Sequence, residues 1–249
     1  MHASLSVNNL LYGHNRPLFS PLSFCCQPGD IWAVLGANGL GKSTLLDTLT
    51  GVLPPLAGTF SIEGGIGIVP QSFRPAFAWN VHEVVLMGRA RHVALFSVPS
   101  QDDEERVAQA LAQLNISHLA QTPFRNLSGG QHQLVMIARA LVSGSHNILL
   151  DEPCSALDLA NQGVVLQLIS DLAHRQARSV IFTTHDPTHA LQVASHTLLL
   201  LPNQQWLAGE THVLLSEENL QRAYGLPVRK LDVGDYGCPV LAPLFHIRR

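Results

Sequence analysis

Gly36-Ala37-Asn38-Gly39-Leu40-Gly41-Lys42-Ser43 reads as a Gly-x-x-x-x-Gly-Lys-Ser loop, and its flanks decide the fold of this 249-residue chain. Before it runs Ile31-Trp32-Ala33-Val34-Leu35, short, continuously apolar and rich in strand formers; after it, Ser43-Thr44-Leu45-Leu46-Asp47-Thr48-Leu49 spaces its leucines helically. Strand, glycine loop and helix is the order that phosphate binding requires. Glycines let the backbone curl so that successive N–H groups point inward as an anion nest, and the helix adds the positive end of its dipole. Lys42 is expected to reach the β- and γ-phosphate oxygens of a nucleotide. Ser43 is expected to offer a hydroxyl to Mg²⁺ bridging those phosphates, because Mg²⁺ prefers oxygen donors.

Far downstream, Ile148-Leu149-Leu150-Asp151-Glu152 reads as a buried parallel strand that ends in two carboxylates at the sheet's carboxyl edge. Consecutive side chains point opposite ways. The two acids therefore take different tasks, one in the Mg²⁺ shell and the other polarising a water for attack on the γ-phosphorus. Between loop and strand lies Leu127-Ser128-Gly129-Gly130-Gln131, followed by a helical run through Leu134, Val135, Ile137, Ala138, Leu141 and Val142. Ser128 reads as the N-cap of that helix, and the glycines expose backbone N–H groups at its positive end.

Taken in order, these segments resemble the ATP-binding subunits of ATP-binding-cassette (ABC) transporters over nearly the whole chain. Gly36 to Ser43 is similar to the Walker A loop, Gln71 to the Q-loop, Leu127 to Gln131 to the family signature, and Ile148 to Glu152 to Walker B. Ser155-Ala156-Leu157-Asp158 resembles the D-loop and Thr184-His185-Asp186 the switch histidine.

The resemblance implies an α/β fold: a P-loop NTPase (RecA-like) core with a mostly parallel sheet, an N-terminal antiparallel β part and an inserted α-helical subdomain. It implies ATP and Mg²⁺ as cofactors. Gly36, Asn38, Gly39, Gly41, Lys42, Ser43, Thr44 and Asp151 would hold the nucleotide, with Tyr12 stacked on adenine; Ser43, Gln71 and Asp151 would serve the metal. Glu152 would be the general base, His185 the γ-phosphate sensor, and Gln71 the hinge reporting nucleotide state. Ser128, Gly129, Gly130, Gln131 and Asp158 would complete the site of a second copy in an ATP-sandwich homodimer. Further implied partners are two integral-membrane permease subunits and, indirectly, an extracytoplasmic solute-binding protein. Three positions depart from the usual family wording: Leu40 where a small residue is usual, Cys154 for Thr, and His132 for Arg or Gln.

Breakers organise the rest. Strands are expected near Ser4 to Val7, Ile31 to Leu35 and Ile66 to Val69. Asn80-Val81-His82-Glu83 has the form of a capping box, and Ser100-Gln101-Asp102-Asp103 opens a helix with Val107, Leu111 and Leu114 on one face. From Asn147 the strand and helix alternation resumes, with a helix near Asp158 to Ala173 and strands Val180 to Thr184 and Thr197 to Leu201. The whole chain is expected to be one ABC ATPase domain, with core at about 1–74 and 144–249 and a helical signature subdomain at about 75–143. The tail from about 205 carries no recognisable chemistry.

Apolar residues make up 46% and charged residues 13%, the composition of a globular protein with a large core. A net charge of -3 gives no broad basic field, so no nucleic-acid partner is expected. No apolar stretch approaches the roughly 20 residues that cross a bilayer, and Met1-His2-Ala3-Ser4-Leu5-Ser6 lacks the form of a signal peptide. The expected location is the cytoplasmic face of the inner or cell membrane, as a peripheral subunit. Cys25, Cys26, Cys154 and Cys238 lack zinc or disulfide spacing and are expected to be bland buried thiols. His185 and His189 bracket Asp186-Pro187, a helix start rather than one face of a helix.

Val84-Val85-Leu86-Met87-Gly88-Arg89 resembles the helix segment of ATPases serving iron-siderophore, haem, cobalamin and related metal-chelate or molybdate-like oxyanion importers. The short stretch from Gly58 to Gln71 is also similar to zinc and manganese importer ATPases, the alternative cargo class. A soluble non-transport ABC ATPase would share the phosphate motifs but usually carries two fused cassettes or coiled-coil insertions. A small-molecule P-loop kinase would share only the Gly36 to Ser43 loop.

Overall fold

The computed structural model describes residues 4–245 except 74, 76, 95, 96, 156 and 235–237. Ala156 of the D-loop-like segment and the first three residues therefore lie outside the described residues. Strands β1 (Leu5–Leu11), β2 (Leu22–Cys26) and β3 (Ile31–Leu35) lead into helix α1 (Lys42–Leu49), then β4 (Ala57–Ile62) and β5 (Ile66–Val69). A helical block follows: α2 (Val81–Leu86), a 3-10 turn at Met87–His92, α3 (Gln101–Gln113) and α4 (Gly129–Val142). Then come β6 (Asn147–Leu150), α5 (Leu159–Gln176), β7 (Ser179–Thr184), α6 (Pro187–Val193), β8 (His196–Leu200) and β9 (Trp206–Glu210). The tail forms α7 (Thr211–Leu214), α8 (Glu217–Tyr224) and the hairpin β10 (Val228–Leu231) with β11 (Val240–Pro243).

The main sheet runs β5-β6-β7-β3-β8-β9, parallel throughout except for the antiparallel edge strand β9. Its central strands β3, β6 and β7 are buried at every position, as expected of parallel strands covered on both faces. Alternation along β3 partitions the core. Ile31, Ala33 and Leu35 join the cluster formed with α2 to α6, while Trp32 and Val34 face α1 and the small antiparallel sheet β2-β1-β4. The mostly parallel core, the antiparallel β part and the helical block are those the family resemblance implied.

Local signals explain the helix starts. Asn80, Ser100 and Ser128 each make a reciprocal capping box, with Glu83, Asp103 and Gln131 respectively. The Val84 to Arg89 segment also has a packing role. A Cβ at Gly88 would lie 2.1 Å from the Arg139 carbonyl oxygen, so only glycine lets this turn rest on α4. Buried Arg89 then staples two helices, Nε donating to Asp103 Oδ1 at 2.7 Å and Nη1 to the Val142 carbonyl at 3.0 Å. Hydrogen bonds from Ser100, reinforced by Arg89, hold the Asp103 carboxyl well below the usual carboxylate range.

Candidate active site

The Gly36 to Ser43 loop joins β3 to α1 at the carboxyl edge of the parallel sheet. Gly39 and Gly41 take φ of 81° and 83°, the left-handed region. A Cβ on Gly41 would also lie 2.4 Å from Leu18 Cδ1. The backbone of Gly41 thus fixes it as glycine, and a side chain there would also have to displace the Leu18 methyl.

Lys42 is nearly buried, and all three of its ammonium donors have partners. Nζ donates to the carbonyls of Gly36 at 2.9 Å and Ala37 at 3.3 Å, and pairs with Glu152 Oε1 at 3.1 Å. The other Glu152 oxygen lies 2.7 Å from His185 Nδ1. One carboxylate therefore bridges the loop lysine of α1 and the histidine after β7.

Glu152 adopts φ of 49°, a left-handed conformation that costs a non-glycine residue about 1–3 kcal/mol. Thr183, completely buried on neighbouring β7, holds it there. The Glu152 N–H donates to Thr183 Oγ1 at 2.7 Å, and the same hydroxyl donates to Asp151 Oδ1 at 2.7 Å. Sequence reasoning missed Thr183, because a threonine in Ser179–Thr184 reads only as a strand former. Its position directly before Thr184-His185-Asp186 was the available clue.

A cleft of about 330 Å³ is lined by Asn38, Gly39, Gly41, Lys42, Ser43, Thr44, Gln71 and Glu152. It falls in the size range of small-molecule sites. His185 lines a smaller adjoining cavity of about 80 Å³ with Glu152, Cys154, Gln162 and His189. Burial pulls the His189 imidazole below its ordinary value, so it sits neutral against Thr184 and Gln162.

Other expected residues lie outside this cleft. Ser128, Gly129, Gly130 and Gln131 start α4, where Ser128 Oγ accepts from Gln131 N at 3.3 Å. Asp158 caps α5, accepting from Asn161 N at 2.8 Å, and a Cβ at Gly130 would come within 2.8 Å of Asn161. The start of α4 therefore packs near Asn161, the residue that Asp158 caps, and neither Ser128–Gln131 nor Asp158 lines the cleft.

Tyr12 differs from expectation. It is 0% exposed, and its ring stacks on Phe19 with centroids 6.0 Å apart and planes 17° from parallel. No ring face is free for adenine in this conformation. The cause is periodicity: Leu10 and Tyr12 both point into the apolar layer under the small sheet, and the turn back closes with Leu18 N donating to the Tyr12 carbonyl at 3.0 Å. Among the described residues its hydroxyl has no hydrogen-bond partner, and burial pushes the phenol well above its ordinary range.

The three departures from family wording are accommodated by packing. Leu40 packs into the apolar cluster that includes Leu18 and Leu200, not into the cleft. Cys154 is buried, and burial, then the nearby carboxylates of Asp186 and Glu152, push its thiol up to about 12. It acts as a small apolar residue. His132 stacks on Phe124 at 4.3 Å, with Nε2 2.7 Å from the Phe124 carbonyl. Of the other cysteines, Cys26 is buried, Cys238 half-buried and Cys25 exposed, so Cys25 is not the buried thiol expected.

Comparison with known proteins agrees with this geometry. The ABC transporter family model matches residues 19–155. The chain is 49% identical to the molybdate import ATP-binding protein MolC of Haemophilus influenzae, over 92% of this chain and 90% of that one. It is 34% identical to the hemin import ATP-binding protein HmuV of Gloeobacter violaceus, over 92% of this chain and 90% of the relative. Among solved structures, an inward-facing metal-chelate type ABC transporter aligns with a TM-score of 0.94 at 45% identity, covering 98% of this chain and 99% of that one.

Proposed function

The chain belongs to the ABC transporter family, and we propose that it is the ATP-hydrolysing subunit of an importer for a metal chelate or metal oxyanion. The observation that carries the reading is the cleft in which the glycine loop, Lys42, Ser43 and Gln71 meet Glu152. Relatives that import molybdate and hemin supply the cargo class, and they favour it over zinc or manganese and over a non-transport role.

Hydrolysis passes through a transition state that spreads negative charge over the γ-oxygens, so the protein's work is positioning and charge stabilisation. The N–H groups around Gly36, Asn38, Gly39 and Gly41, with Thr44 at the start of α1, hold the phosphates. Lys42 exchanges its pairing with Glu152 for the γ-phosphate. Glu152 Oε then accepts a proton from the attacking water, and His185, already against that carboxylate, orients it. Ser43, Gln71 and Asp151 can each offer an oxygen, a set that suits Mg²⁺, which would neutralise phosphate charge.

Because Ser128 to Gln131 and Asp158 lie away from the cleft that their own chain forms, they act on the cleft of a second copy. Residues of about 75–143 form the moving helical subdomain within a single domain. A groove of about 420 Å³ lined by Phe73, Trp79, Phe124 and a 72%-exposed Phe77 receives one of two permease subunits. No helix among the described residues is long and apolar enough to cross a membrane. The subunit sits peripherally at the cytoplasmic face, and an external solute-binding protein delivers the cargo.

The test is the permease complex reconstituted in liposomes. Loaded binding protein on the far side should raise ATP hydrolysis and drive uptake of molybdate or a metal chelate. Lys42→Ala should abolish both activities, and Glu152→Gln should keep ATP binding while stopping turnover. Wild-type hydrolysis in Glu152→Gln would remove the base assignment; export indifferent to binding protein would remove the importer reading.

A further inference from the structure

The C-terminal tail, which carries no chemistry in the sequence, reaches the catalytic centre. Helix α8 ends at Tyr224, and Gly225, with φ of 71°, turns the chain into the β10–β11 hairpin. Tyr224 Oη donates to the main-chain carbonyl of His185 at 2.9 Å. That same residue places Nδ1 2.7 Å from Glu152 Oε2, so the path from tail to carboxylate is one hydrogen bond, one residue and one more hydrogen bond.

The tail is anchored well enough to act as a support. Glu217, at the start of α8, accepts from Arg229 Nη1 at 2.7 Å and from Lys230 N at 2.9 Å, which clamps the hairpin to the helix. Leu244 N donates to the Pro227 carbonyl at 2.8 Å and closes the hairpin's base. The hairpin also touches the helix that follows the histidine, Cys238 Sγ lying 3.6 Å from the Leu191 carbonyl on α6. His185 is therefore held from the tail on its own carbonyl and again through α6. Burial, with Asp186 and Glu152 nearby, pushes the Tyr224 phenol above its ordinary value, so its hydroxyl stays a donor.

We propose that Tyr224 is a positioning residue for hydrolysis: its hydroxyl fixes the His185 backbone and so sets the imidazole against Glu152. The inference rests on the ATPase reading above and adds a residue from the tail to it. A histidine free to swing would still bind nucleotide, because the phosphate loop is untouched, but would spend less time oriented for the attacking water. The expected signature is lower kcat at unchanged KM.

The experiment compares wild type, Tyr224→Phe, His185→Ala and the double variant as purified full-length chains, with two readouts. In steady-state MgATP hydrolysis, losing one neutral hydrogen bond should lower kcat about three- to tenfold, with KM for ATP within about twofold. In the His185→Ala background the same substitution should have no further effect, since its route runs through the imidazole. By hydrogen exchange, which needs no turnover, the segment from His185 to Val193 should exchange faster in Tyr224→Phe while α1 does not change. Wild-type kcat, a KM effect alone, an equal loss in the His185→Ala background, or unchanged exchange would each overturn the proposal. A wild-type chain without ATPase activity would overturn the hydrolysis reading instead, and the exchange result would still decide whether Tyr224 tethers the histidine.

Discussion

Replacing Thr183 by valine removes one buried hydroxyl and keeps nearly the same shape. That hydroxyl holds both carboxylate residues at once, accepting the Glu152 N–H and donating to Asp151, each at 2.7 Å. Valine leaves the Glu152 N–H without its partner, which costs about 1–3 kcal/mol, and removes a bond to a charged acceptor worth about 1.5–3 kcal/mol. The two are coupled, so about 3 kcal/mol is the expected total rather than the full sum. For a chain of this length each kcal/mol moves the midpoint by about 2–4 °C, so Tm should fall by about 6–12 °C.

Turnover should suffer more than stability alone explains. Glu152 sits at φ of 49° and is kept there partly by this bond, so without it the carboxylate would relax away from the water that it is proposed to deprotonate. A kcat about 10- to 100-fold lower is expected at temperatures where the variant remains folded. Thr183→Ser is the control: it keeps the hydroxyl and loses only a methyl group, so it should retain most activity and lose about 1 kcal/mol. Thermal unfolding followed by circular dichroism and coupled-enzyme ATPase assays read both effects. A Thr183→Val protein with wild-type kcat and Tm would refute the argument that this hydroxyl sets the carboxylates.

Gly88→Ala should destabilise by about 1–3 kcal/mol in urea unfolding, because the new methyl meets the Arg139 carbonyl and backbone cannot step aside; an unchanged midpoint would contradict the packing. The depressed Asp103 carboxyl contributes stability that is fully present above its unfolded value near pH 4 and is lost as pH falls below it. Urea midpoints taken from pH 6 down to pH 3 should therefore fall more steeply for wild type than for Asp103→Asn. His189 has the opposite origin: its lowered value means that the unfolded chain takes up a proton first, so stability drops as pH falls through about 6.5. His189→Gln should flatten that part of the profile, and an identical slope would show that the imidazole does not titrate against folding.

How much of this was legible depended on whether the signal was local. The strands Ile31 to Leu35 and Ile66 to Val69 are found with the bounds read from the sequence, since strands of a parallel sheet announce themselves as short apolar runs. The caps at Asn80, Ser100 and Ser128 were equally plain, because a cap and its partner lie three residues apart. By contrast, β4 is mostly exposed, and Gly58 within it is needed because its φ is 78° and because a Cβ there would meet the Asn9 carbonyl at 2.1 Å. That constraint belongs to the pairing with β1, and no window of sequence contains both. Tyr12 illustrates the converse, a residue assigned by family wording whose ring its own chain covers with Phe19.

The same division runs through the site. The loop and the paired acids were readable because chemistry dictates their residue types, whereas Thr183 and Tyr224 act through bonds to neighbours 31 and 39 residues away in sequence. What such residues contribute is the placement of the groups around a buried ion pair. Lys42 and Glu152 are both nearly removed from water, and separating buried partners is strongly unfavourable unless each finds another. In the proposed mechanism an entering γ-phosphate would provide that exchange for Lys42, and it would free Glu152 for water only while His185 and Thr183 keep the carboxylate in place. Lys42→Ala would therefore do two things at once: it removes the cation proposed to meet the phosphate, and it leaves Glu152 with His185 as its remaining side-chain partner. Glu152→Gln takes away the proposed base but keeps a side chain able to accept from Lys42. The difference between the two variants follows from the shared ion pair, not from their separate distances to ATP.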